Sequence, residues 1–94
     1  MNRKYKANGY KEVMDVSDMT VIYTYEDTVH ILNSLASRIF YGIIAGKEYQ
    51  SILAEIISVY PTVDRDVIRR DMDELIKTLI AKEIVVIDGE YDEA

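Results

Sequence analysis

Cysteine and tryptophan are absent from this 94-residue chain, and proline and histidine occur once each, as Pro61 and His30. The missing cysteine excludes disulfides, thiolate nucleophiles and cysteine-ligated metals, and it fits a reducing compartment. There is no long hydrophobic run either: no segment approaches the ~20 apolar residues that a membrane-spanning helix requires. The opening "MNRKYKANGY" is polar where a signal peptide would carry its apolar region, so the cytoplasm is the expected location. Positive charge is also scarce. Eleven lysines and arginines stand against seventeen aspartates and glutamates, a formal charge of −6 whose field repels nucleic acid and anionic membranes.

The residues that are present are those of a soluble globular protein, 49% hydrophobic and 30% charged. The length suits one small domain, near the lower size at which a single apolar core folds without disulfides or metals. That leaves room for a recognition surface and little for a deep pocket.

Residues 1–10 show no apolar period and read as a mobile N-terminal arm. "KEVMDV" and "MTVIYTY", rich in β-branched and aromatic residues and separated by "SD", predict a hairpin over Lys11–Val16 and Met19–Tyr25. After a second turn at "EDT", the stretch "TVHILNSLASRIFYGIIAG" changes its hydrophobic period from two to about 3.6 with no linker. A third strand, Thr28–Leu32, therefore runs straight into a helix, with Asn33 or Ser34 as its cap and Leu35, Ile39, Phe40 and Ile43 on one face. Gly46 closes that helix. "EYQSILAEIISVY" predicts a second, stopped by Pro61, with Ile52, Leu53, Ile56, Ile57 and Tyr60 on one face. Asp64 or Thr62 can cap the third and longest, where Val67, Ile68, Met72, Leu75, Ile76, Leu79 and Ile80 recur up to Lys82. "IVVI" reads as a last short strand or packed extension, and residues 88–94, "DGEYDEA", as a disordered acidic tail. Strands followed by helices imply an α+β domain over residues 11–87, with helices covering one face of a three-stranded antiparallel sheet. Such a sheet leaves an edge whose unpaired backbone groups can accept an extended peptide.

No catalytic constellation stands out. His30 alternates with Val29 and Ile31 on a strand, and one imidazole without cysteine is a poor nucleus for a metal site. Glycine-rich phosphate loops, HExxH pairs and nucleophile elbows are all missing. Asp64, Asp66, Asp71, Asp73 and Glu74 are interleaved with Arg65, Arg69, Arg70 and Lys77, the pattern of a solvated helix face rather than a paired-carboxylate site. Eight tyrosines are a skew; Tyr23, Tyr25, Tyr41, Tyr49 and Tyr60 fit a core margin, and such rings also serve at binding surfaces.

With these elements in place, "ILNSLASRIFYGI", "AGKEYQSILAEI" and "VDRDVIRRDMDELIKTLIAKEIVVI" resemble the pyrroloquinoline quinone biosynthesis protein D-like family across roughly 12–87. Leu32 and Asn33 stand where the family begins its first helix, and Ala36, Ile39 and Phe40 follow as its small residue and aliphatic-aromatic pair, with Phe40 in place of the more usual tryptophan. Gly46 and Asp71 match the glycine before the second helix and the aspartate inside the third. One departure stands out: Glu83 occupies the place of the family's glycine just after the third helix, which puts the family's helix ending in question.

The resemblance implies a winged-helix-like recognition element without catalytic activity or cofactor. Such an element binds the leader of a ribosomally made precursor peptide and presents it to a modifying enzyme, often a radical S-adenosylmethionine enzyme. The leader would add as a strand beside Thr28, Val29, His30, Ile31 and Leu32, in a groove shared with Val67, Arg70, Asp71, Glu74 and Thr78 of the third helix. Thr28, His30 and Leu32 are the first candidates for side-chain readout, with strand parity left open because a one-residue shift exchanges the faces. A monomer or weak homodimer is expected. Two rivals belong to other classes: a winged-helix transcriptional regulator reading DNA through Arg65, Arg69 and Arg70, which the net charge opposes, and a structural subunit using the same edge for a permanent partner.

Overall fold

The computed structural model describes residues 2–91. Its elements run β1 (Asn2–Ala7), β2 (Glu12–Val16), β3 (Met19–Tyr23), β4 (Val29–Leu32), α1 (Ser34–Ile44), α2 (Tyr49–Val59), α3 (Arg65–Ala81) and β5 (Val85–Tyr91). The architecture is α+β. β2, β3 and β4 form a three-stranded antiparallel sheet in that order, and β1 and β5 form a separate antiparallel ribbon. Among the described residues no helix is long and apolar enough to cross a membrane.

The ribbon corrects the sequence reading at both ends of the chain. Residues 2–7 are a strand, not an unstructured arm, and Tyr5 is buried in the core. Its pattern is hard to read from the sequence. A register shift between Lys4 and Tyr5 breaks the alternation, so the buried residues Asn2 and Tyr5 are three positions apart rather than two. The partner is also remote: Ala7 pairs with Val85 and Asn2 with Tyr91. "DGEYDEA" likewise begins inside β5, and only residues 92–94 of the expected tail lie outside the described residues. Opposite charge suits the pairing, with Lys6 and Asp88 3.6 Å apart, although so exposed a pair contributes little.

The helices start and stop where local chemistry dictates. Asn33 alone separates β4 from α1, and its Oδ1 caps the helix by accepting from the Ala36 amide at 2.9 Å. Ser37, one turn in, donates from Oγ to the Leu32 carbonyl at 3.2 Å, which fastens the strand end to the helix. α1 closes in a Schellman turn: Gly46 has φ +83° and donates to Ile43, and Lys47 donates to Gly42. α3 closes in the same way around Glu83. This residue takes φ +61°, its amide donates to Ile80, and Ile84 donates to Leu79, so the ending is of the glycine type although no glycine is present. Asp64 caps α3 by accepting from the Asp66 amide.

The core lies between the sheet, the ribbon and the three helices. Ile22 and Leu32 come from the sheet, Tyr5 and Val85 from the ribbon, and Phe40, Ile52, Met72 and Ile76 from the helices. α1 and α2 approach closely at Gly42, where an added Cβ would lie 2.9 Å from Ile52 Cγ1. Tyr41 Oη donates to Asp15 Oδ1 at 2.5 Å and Thr20 Oγ1 donates to the same oxygen at 3.3 Å, clasping the β2–β3 hairpin to α1.

Candidate functional site: the open edge of the three-stranded sheet

β4 pairs with β3 and with no other strand among the described residues, so its second side is an open edge. Which residues serve that edge follows from the ladder. The β2–β3 loop has two residues, Ser17 and Asp18, and is flanked by the pair Val16↔Met19, so Met19, Val21 and Tyr23 bond toward β2. Thr20, Ile22 and Thr24 must then bond toward β4, and the Thr24 amide donates to the Thr28 carbonyl at 3.0 Å. Their partners in register are Thr28, His30 and Leu32. The backbone donors and acceptors of Val29 and Ile31 therefore point outward, ready for another strand.

Side-chain parity follows from the same register. Leu32, only 6% exposed, belongs to the core, and His30 is half-buried on the same face, beside Ile22. The Leu32 side chain lies in the core and its carbonyl accepts from Ser37 Oγ, so of the strand residues expected to face a ligand it is the most enclosed. Val29 and Ile31 occupy the opposite face and are exposed, Ile31 by 65%. Thr28 is exposed; its Oγ1 lies 2.6 Å from Thr24 Oγ1 and 3.5 Å from His30 Nε2, which orders the start of the edge.

The α3 candidates separate into two groups. The buried stripe of this helix is Ile68, Met72, Ile76 and Leu79. One flank, with Asp73, Lys77 and Ile80, lines a cavity against β1 and α2. Helical spacing puts Val67, Asp71 and Thr78 on the other flank, turned away from that cavity, while Arg70 and Glu74 stand on the outward crest. Val67 is half-buried and the other four are exposed. Thr78 Oγ1 donates back to the Glu74 carbonyl at 3.0 Å. Leu75 completes the flank as a half-buried apolar residue between Asp71 and Thr78. Its helical period marked it as core, and only the split of the flanks identifies it as a margin residue. No Cα of β4 comes within 8 Å of one in α3, and α1 packs against both. Strand and helix thus stand as two separate walls on a common support.

The cavity on the far flank, about 490 Å³, is lined by Arg3, Tyr5, Tyr49, Asp73, Ile76, Lys77 and Ile80. Tyr49 Oη donates to Asp73 Oδ1 at 2.5 Å, joining α2 to α3. Burial, and then this hydrogen bond to a carboxylate, hold the Tyr49 phenol protonated well above the usual tyrosine range. Near it, Asn2 Oδ1 accepts from the Gln50 amide at 3.0 Å and so caps α2, whose own N-cap Glu48 makes no capping bond, while Asn2 Nδ2 donates to Glu48 Oε2 at 2.6 Å.

Comparison with known proteins adds two findings. The family described as "Coenzyme PQQ synthesis protein D (PqqD)" matches residues 20–85, which takes in all of β3 but its first residue, β4 and all three helices. A solved structure described as "TbiB1 in Complex with the TbiA(beta) Leader Peptide" is 26% identical, covers 93% of this chain and 99% of that one, and superposes with a TM-score of 0.75. No protein of curated function matches significantly.

Proposed function

Because this chain belongs to the coenzyme PQQ synthesis protein D (PqqD) family, we propose that it is a non-catalytic peptide-binding protein. It captures the leader of a ribosomally synthesised precursor peptide by strand addition beside β4 and presents it to a peptide-modifying enzyme. The observation that carries this reading is the open edge, where the outward backbone groups of Val29 and Ile31 are held by a strand fixed to α1 through Asn33 and Ser37. Likeness to a protein solved with a leader peptide on it supports the same class of ligand.

The mechanism is one of preorganisation. A disordered leader must lose conformational freedom when it binds, and a receptor strand that is already rigid adds no ordering cost of its own. Backbone hydrogen bonds at the edge, each netting roughly 0.5–1.5 kcal/mol, supply affinity without reading sequence. Sequence is read by side chains. On the strand these are Val29 and Ile31 on the outer face and Thr28 and His30 on the inner. Val67, Asp71, Leu75 and Thr78 supply the helical wall, with Arg70 and Glu74 at its rim. A DNA-binding role has no support from the comparisons, and the charge of −6 opposes it.

The decisive substitution is Ile31→Pro. Its amide points away from β3, so proline there removes an outward donor while leaving the sheet's own bonds in place, the one kind of strand position that tolerates it. We expect the variant to keep its circular dichroism and to bind the leader about 2- to 12-fold more weakly by titration calorimetry, the equivalent of one lost hydrogen bond. Unchanged affinity in a folded variant would exclude strand addition at β4.

A further inference from the structure

The helices cover only one face of the β2–β3–β4 sheet. On the other face the register aligns Met14, Val21 and Ile31 in one row across the three strands, with Tyr23 and Val29 in the next and Val16 and Met19 beyond. All of these are exposed except Val21, which is half-buried. An antiparallel sheet with one solvated face ordinarily alternates apolar-in with polar-out. Here the outward positions are apolar as well, with Glu12 the exception. Soluble monomers rarely expose a continuous patch of this kind without a partner for it.

We infer that this outer face is the docking surface for the peptide-modifying enzyme, and that the captured leader completes it; the inference rests on the function proposed above. Continuity is the first argument. Val29 and Ile31 belong both to the open edge and to the apolar face, so a strand added beside β4 widens the face from three strands to four. Every second leader side chain then stands on it, level with Ile31. The enzyme therefore meets a larger apolar surface on the loaded carrier than on the empty one.

Charge argues for the nature of the occupant. The face is bounded by exposed acids: Glu12 on β2, Asp18 in the first turn and Glu26 in the second, where Asp27 is paired with Lys11 at 3.0 Å. A second copy of this chain would bring like charges together around the interface. The surface instead fits a partner whose apolar patch has a basic margin.

The test places a charge on β2, two strands from the edge that takes the leader. Met14→Lys and the milder Met14→Thr, each checked by circular dichroism, are titrated with synthetic leader peptides taken from short reading frames that flank the gene. Association of the variants with a peptide-modifying enzyme taken from the same flanking frames is then measured by biolayer interferometry, with and without leader. We expect leader affinity within about twofold of the parent and enzyme association weakened about tenfold by the lysine, the scale of truncating one side chain at the centre of an interface. The parent should bind the enzyme more tightly when loaded, and less tightly as salt rises. Equal enzyme association by folded Met14→Lys would overturn the inference. So would a parent that sediments as a dimer which the lysine dissociates, because a second copy would then occupy the face. A parent that takes the enzyme but no leader would overturn the proposed function and leave the docking face standing.

Discussion

Glu83 shows what a single residue costs when its backbone geometry is dictated from outside. The end of α3 must turn so that Ile84 enters the core, and the turn places residue 83 in the left-handed region, at φ +61°. Glycine takes that conformation freely, whereas a Cβ opposes it by roughly 1–2 kcal/mol, part of which glycine returns through greater freedom in the unfolded chain. The Glu83 carbonyl accepts from Asn8 Nδ2 and the Ile84 carbonyl from the Asn8 amide, both bonds that a substitution of the side chain leaves intact. Glu83→Gly is therefore expected to stabilise the fold by about 0.5–1 kcal/mol, raising the thermal midpoint by a few degrees in a calorimetric scan. A lower midpoint would mean that the glutamate side chain contributes more than its backbone costs. Ser17 and Asp27, at φ +61° and +60°, occupy the same region in the two tight turns of the sheet.

Elements that close on themselves were legible in the chain, and elements that depend on a distant partner were not. The hairpin around Ser17 and Asp18, the Asn33 and Asp64 caps and the stop at Pro61 are all local chemistry, and each lies where its residues predict. The lack of a linker between β4 and α1 was visible as a change of period. β1 was not visible, because its buried residues Asn2 and Tyr5 do not alternate and its partner β5, which carries the bulge at Asp88, is some eighty residues away. Edge parity was not visible either, since it depends on the register of two hairpins at once, and with it went the distinction between Leu32, which belongs to the core, and Ile31, which does not. Asn2 shows how far such a dependence reaches, for it caps α2 from 48 residues earlier in the chain. Asn2→Ala should remove both the cap and the bond to Glu48, costing about 2 kcal/mol, or roughly 10 °C in thermal midpoint, as measured by chemical and thermal unfolding. A change under about 0.3 kcal/mol would show that β1 does not secure α2.

At the scale of the whole molecule, two phenol–carboxylate clasps tie separate elements together: Tyr41 to Asp15 joins α1 to β2, and Tyr49 to Asp73 joins α2 to α3. Both phenols are held protonated above the ordinary tyrosine value of 10.0, Tyr41 chiefly by its hydrogen bond to Asp15 and Tyr49 chiefly by burial. A group whose folded pKa is raised contributes stability that is fully present below the unfolded value and is lost as pH rises through the folded one. The clasps should therefore hold unchanged across neutral pH and weaken only above about pH 10. Each phenolate formed there also faces a carboxylate and adds to a molecule already at −6. Replacing both phenols, Tyr41→Phe with Tyr49→Phe, should cost about 1–3 kcal/mol near pH 8, from two hydrogen bonds. Above pH 10 the difference from the parent should shrink, because the unfolded parent is stabilised by ionising its free phenols while the folded protein still holds them protonated. Parallel unfolding curves for the two proteins from pH 8 to pH 11.5 would show that the clasps do not carry the alkaline loss of stability, and that self-repulsion of the acidic surface does.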